Sequence, residues 1–191
     1  MKLIIASNNK HKIYEIKKIL GGKFDPILSL KEAGIDHETV EDGDTFMANA
    51  IKKAKEIAEI SGCPSLADDS GICAHALDGA PGVFSARFSG VHGDDEANNA
   101  LLLEKLRDKE DKGAHYTCAM ALSYPDGSLV TAEGYMYGTI TEYRRGDRGF
   151  GYDPIFVAEG ETRTVAEMSD GEKNAISHRG KALALLLEKL V

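Results

Sequence analysis

At 191 residues with 42% hydrophobic side chains, the chain can bury a core without disulfide or metal staples, and it is expected to form a single domain over residues 1–191. Its formal charge of −8 argues against a nucleic-acid backbone or an anionic membrane as partner, but allows a small anion met by a local group of Lys and Arg. Cys63, Cys73 and Cys118 lack CxxC spacing and read as thiols of a reducing compartment; no apolar run approaches ~18 residues, so a cytoplasmic protein is expected.

Lys2 to Ala6 read as a buried strand, and the cap formers Ser7-Asn8-Asn9 lead into a helix to about Leu20, stopped by Gly21-Gly22. A short strand near Pro26 to Leu30 precedes the acidic segment Asp36 to Asp44. The next helix, Thr45 to about Ser61, carries Phe46, Ala50, Ala54 and Ile57 as an apolar stripe. Lys53 falls on that stripe, so it either meets an anion or snorkels past a thin core. Asn49 lies on its edge. After Gly62-Cys63-Pro64, a strand runs through Asp68 and Asp69 to Gly71. The Gly/Pro-rich loop Asp78 to Gly82 follows, then a helix capped by Asp94-Asp95 and reaching about Lys109. Strands around His115 to Tyr124 and Ser128 to Tyr137 are joined by a turn at Pro125-Asp126-Gly127, and Ser177 caps a last helix. This order predicts an α/β fold around one mixed sheet.

Four segments can carry chemistry. In Leu66-Ala67-Asp68-Asp69-Ser70-Gly71, strand alternation forbids both carboxylates from entering one core. Either they are solvated in a polar turn, or they suit a hard divalent cation and a water to be activated. Ser7-Asn8-Asn9-Lys10-His11-Lys12 joins a strand to a helix, where free N–H groups and lysines favour phosphate, although an ordinary capped turn is the plainer alternative. Phe150-Gly151-Tyr152-Asp153 offers rings on which a flat base could stack, or rings that pack onto the sheet. Lys173 to Arg179 is a cluster of donors, or a solvated basic turn. Together the four describe a nucleoside triphosphate pocket.

Taken in order, SNNKHK (7–12), EDGDTFMANA (41–50), ADDSG (67–71), GAPGVFSARFSG (79–90), GFGYDPIF (149–156) and EKNAISHRGKAL (172–183) resemble the inosine triphosphate pyrophosphatase family, the XTP/dITP diphosphatases. The resemblance implies a strongly twisted mixed β-sheet flanked by helices, with two lobes around a central nucleotide cleft, in a homodimer. It implies Mg²⁺-dependent hydrolysis of deaminated purine nucleoside triphosphates (ITP, dITP, XTP) to the monophosphate and pyrophosphate, with no nucleic acid or membrane as partner. Asp69 would be general base and metal ligand, supported at the metal by Asp68 and by Glu41, chosen over Glu38 and Asp42. Ser7, Asn8, Asn9, Lys10, His11, Lys12 and Lys53 would hold the phosphates. Ser70, Phe150, Gly151, Tyr152, Asp153, Lys173, His178 and Arg179 complete the substrate set, with Phe150 stacking on the base. Hydrolysis of other modified nucleotides, or nucleotide sensing without catalysis, are the alternatives; intact Asp68-Asp69 speaks against sensing.

Overall fold

A computed structural model describes residues 1–190. Its strands are β1 (Leu3–Ile5), β2 (Ile27–Ser29), β3 (Ser65–Ala74), β4 (Gly113–Ser123), β5 (Leu129–Ile140) and β6 (Phe156–Ala158). Its helices are α1 (Lys10–Leu20), α2 (Phe46–Ser61), α3 (Asp95–Leu106), α4 (Asp170–Ile176) and α5 (His178–Glu188). The strands form one mixed sheet in the order β2-β1-β3-β4-β5-β6, with β1 parallel to β2 and β3, and β5 antiparallel to β6. No helix among the described residues is long and apolar enough to cross a membrane.

The chain divides into two compact units. Unit 1 comprises Met1–Asp69, Cys118–Gly134 and the chain from Arg179 onward; unit 2 comprises Ser70–Thr117 and Tyr135–His178. In unit 1, strand alternation sorts side chains onto two faces. Leu3, Ile5, Leu66, Cys118, Met120 and Leu122 pack with Ile16 and Leu20 of α1 and Leu183 and Leu186 of α5. Ile4, Ala6, Ala67, Ala119 and Ala121 pack on the other side with Ala50, Ala54 and Ile57 of α2. The alanines let α2 lie close to the strands, which brings its polar edge near their ends. In unit 2, Leu102 and Leu106 of α3 pack with Ile72, Tyr116, Met136, Tyr152 and Phe156.

Local chemistry explains the boundaries. Asn9 caps α1 by accepting from the N–H groups of His11 and Lys12, Thr45 caps α2 through Ala48, and Asp94 caps α3 through Ala97. The α3 helix ends at Leu106, short of the expected Lys109, and the Lys112 ammonium donates to the Leu106 and Arg107 carbonyls. Sequence periodicity missed α4, whose seven residues are too few to show a repeat. Ser177 closes α4 and immediately precedes α5.

Candidate active site

Neither aspartate of the Asp68-Asp69 pair is solvated: Asp68 is 1% exposed and Asp69 6%. That removes the polar-turn reading. Alternation places Asp68 on the face with Leu66, under α1 and α5, and Asp69 on the face with Ala67, under α2.

On the first face, Arg179 donates to Asp68 Oδ2 from Nη2 at 2.9 Å and to Glu15 from Nη1 at 2.6 Å. Lys12 Nζ lies 3.2 Å from the same Asp68 oxygen. Burial opposes the Asp68 charge, but Lys12 and Arg179 outweigh it and hold the carboxyl well below the usual range. Burial likewise disfavours the Arg179 charge, and Asp68 and Glu15 more than restore it. Asp68 Oδ1 is buried and accepts no hydrogen bond from the described residues. This is a compact, nearly neutralised ion cluster.

On the second face, Asn49 Nδ2 donates to Asp69 Oδ2 at 3.0 Å, while its Oδ1 accepts from the Gly43 N–H at 2.8 Å. A Cβ on Gly43 would stand 2.7 Å from that Asn49 oxygen, so only glycine permits this approach. Lys53 Nζ sits 2.5 Å from Glu41 Oε1 and 3.9 Å from Asp69 Oδ1. The apolar-stripe lysine therefore does meet anions, and these hold its ammonium charged against the penalty of burial. For Asp69 the balance runs the other way: burial pushes its carboxyl above the ordinary value despite Lys53 and Lys12.

Asp69 and Glu41 thus bring hard oxygen donors toward one positive group, which is the chemistry a hard divalent cation needs. No group of three His, Cys, Asp or Glu side chains among the described residues is gathered to hold a metal alone. The remaining ligands would be water and substrate oxygens, the usual case for a small hard cation. Asp68, turned to the opposite face, is bound through Oδ2 to Arg179 and Lys12, whereas Asp69 meets Asn49 and Lys53.

Of the Ser7–Lys12 segment, Asn8, Asn9, Lys10 and His11 are exposed; Asn9 is spent on capping, and Ser7 Oγ accepts from the Asn9 N–H at 3.1 Å. Lys12 turns toward the carboxylates, with its Nζ beside Asp68 Oδ2.

Unit 2 carries the aromatic constellation. Asp153 is buried; its Oδ2 accepts from Lys173 Nζ at 2.7 Å and from the Phe150 N–H at 3.0 Å, and Tyr116 donates its hydroxyl to Oδ1 at 3.3 Å. Lys173 Nζ also stands 4.5 Å from the Phe150 ring centroid, a cation–π distance. His178 stacks on Tyr116 with centroids 4.6 Å apart and planes 8° from parallel. Burial and the neighbouring Asp153 charge push the Tyr116 phenol well above its ordinary value, keeping it a neutral donor. Gly149 has φ +73°, and a Cβ there would fall 2.2 Å from Asp153 Oδ2, so the loop closes onto Asp153 only with glycine. Tyr152 packs inward and donates its hydroxyl to the Ser85 carbonyl at 2.7 Å, so of the two rings only Phe150 remains partly open. Ser70 follows Asp69 on β3 and is half-buried.

Sequence reasoning grouped Asp153, Lys173, Phe150, His178 and Arg179; the first four belong to one constellation in unit 2, whereas Arg179 is buried against Asp68 and Glu15. That reasoning missed Glu15 and Tyr116. A glutamate beside Ile16 on α1 and a tyrosine alternating with apolar strand residues were the available hints.

The chain matches the Ham1 family over residues 3–189. A dITP/XTP pyrophosphatase of Leuconostoc mesenteroides is 51% identical over 100% of this chain and 96% of its own length. One from Geobacter sulfurreducens is 48% identical, covering 99% and 96%. The Staphylococcus aureus Ham1 protein superposes with a TM-score of 0.90 at 38% identity, over 100% of this chain and 98% of that one.

Proposed function

Because the chain belongs to the Ham1 family, we propose that it is a dITP/XTP pyrophosphatase, hydrolysing dITP, ITP and XTP to the nucleoside monophosphate and pyrophosphate. The observation that carries this reading is Asp69: a buried carboxylate with raised proton affinity, steered by Asn49 and facing Lys53 and Glu41. A base of that kind can take a proton from an attacking water while the α–β phosphoanhydride bond breaks and pyrophosphate leaves.

Asp69 and Glu41 would hold Mg²⁺. Bound there, Mg²⁺ would neutralise phosphate oxygens and stabilise the charge that develops as the bond breaks. Asp68 supports this arrangement indirectly, by fixing Lys12 and Arg179 in place. Lys53 and Lys12 supply positive charge for the phosphates, with Ser7 and the exposed Asn8, Lys10 and His11 bordering them. Phe150 stacks on the base, and Lys173, Asp153 and His178 hold the ring's surroundings in register. A 6-oxo purine offers an acceptor where adenine offers a donor, so protein donors favour it. Each mispaired buried donor costs about 1–3 kcal/mol. A cytoplasmic homodimer is part of the same proposal.

The test is pyrophosphate release from ITP, XTP, dITP, ATP and GTP in the presence of Mg²⁺. Preference for the first three is expected. Equal turnover of ATP and ITP would refute the assignment.

A further inference from the structure

We propose that Asp95 and Asn99, one turn apart on α3, are positioning residues that set where Phe150 meets the base; this rests on the reading of Phe150 as the base platform. Asp95 Oδ2 accepts from the Gly151 N–H at 2.6 Å, and Asn99 Nδ2 donates to the Gly151 carbonyl at 3.0 Å. Residues at i and i+4 share a helix face, so both side chains reach the same peptide neighbourhood. Both polar main-chain groups of the residue after Phe150 are thereby taken by side chains.

The clamp sits on a firm base. Leu102 and Leu106, on the same helix, are buried in the core of unit 2. The next residue, Tyr152, is fixed by its bond to the Ser85 carbonyl, and the Phe150 N–H by its bond to Asp153. Lys173 lies at the Phe150 ring itself. The loop from Phe150 to Asp153 is therefore anchored at every residue, and α3 supplies the anchor at Gly151.

Capping of α3 does not account for these two side chains. Asp94 already caps α3, accepting from the Ala97 N–H at 3.0 Å. Asn99 is fully buried, yet its Oδ1 accepts no hydrogen bond from the described residues. A buried amide left half satisfied costs stability. A leucine would fill such a position more favourably unless the bond to Gly151 mattered for placement. Ring stacking depends on the separation and offset of the two rings, so a small shift of Phe150 suffices to weaken recognition of the base.

The test compares Asp95→Ala, Asp95→Asn, Asn99→Ala and Asn99→Asp with the wild type in steady-state kinetics on ITP and GTP. Asp95→Ala and both Asn99 variants are expected to raise KM for ITP about tenfold or more, the scale of one lost buried hydrogen bond, and to narrow the ITP-over-GTP preference. The value of kcat should change much less than KM. Asp95→Asn keeps an acceptor for the Gly151 N–H and should recover most of the loss. The isosteric Asn99→Asp variant keeps the side-chain shape, and the uncharged, similarly sized Asn99→Leu keeps the site filled without the Gly151 bond, with the same KM rise expected, should the other variants fail to fold. Wild-type KM and preference in Asn99→Asp, or KM and kcat falling away together with melting temperature and no recovery in Asp95→Asn, would overturn the clamp. A wild-type protein that shows no ITP preference would instead overturn the Phe150 reading beneath it.

Discussion

The two sides of β3 hold adjacent aspartates in opposite electrostatic settings. Under α1 and α5, Asp68 meets Arg179 and Lys12, so its charge is held more firmly than in water. Under α2, Asp69 meets Asn49 and a lysine it shares with Glu41, and burial leaves its charge less favourable than in water. The first carboxylate has its charge compensated through Oδ2 and is suited to stability. The second is held at a cost, and gains from a metal ion or a proton. Neighbours in sequence have been given different work by the helices laid over each face.

Removing each charge separates the two. Asp69→Asn is expected to lower ITP turnover by roughly 10²–10⁴-fold, the scale of general-base catalysis, while its melting temperature stays level or rises. Pyrophosphate release and a thermal melt on the same preparation check both halves. Asp68→Ala should do the reverse in character and unfold the protein more easily by about 3–5 kcal/mol, because Arg179 keeps only Glu15 among its shown carboxylate partners. Urea midpoints at pH 7 measure it; an unchanged midpoint would remove Asp68 from its structural part.

A third substitution probes what the two acids share. Lys53→Met removes a cation that holds the Asp69 proton affinity down, so the Asp69 carboxyl rises further. A base must be ionised to act, so the acid limb of the pH–rate profile should move to higher pH, with about a tenfold loss of rate on that limb for each pH unit moved. A limb that stays in place would show that Lys53 does not govern Asp69.

Stability against pH offers a finer distinction. The Asp68 carboxyl is depressed in the folded protein, so its stabilisation is complete above the unfolded value of about 3.9 and disappears as pH falls toward the folded value. Asp69, with a raised value, contributes with the opposite sign and loses its burial penalty on protonation. Asp68→Asn should therefore flatten the fall in stability below about pH 4, and Asp69→Asn should not. The smallest effect expected is Thr45→Ala, about 1 kcal/mol from loss of the α2 cap, seen as a modest drop in melting temperature.

Much of this is legible in the sequence. The helical wheel placed Lys53 on the apolar stripe of α2, and a lysine there had to meet an anion or reach past the core. Strand alternation alone required Asp68 and Asp69 to part company. The aromatic loop and the Lys173–Arg179 segment were visible as donors and rings. Their partners were not. Arg179 bonds to Glu15 across 164 residues, and Asp153 to Lys173 across 20, and neither local propensity nor periodicity carries pairing at such separations.

The sequence by itself determined most of the elements, though not the short α4 and β6, and which faces would be apolar, because these follow from interactions within a few residues along the chain. Only the tertiary structure decided that Asp68 would be neutralised by Arg179 and Lys12, that Asp69 would stay poised beside Glu41, and that α3 would hold Gly151. Those choices depend on which helix covers which face of the sheet, and packing settles that after the helices and strands are specified.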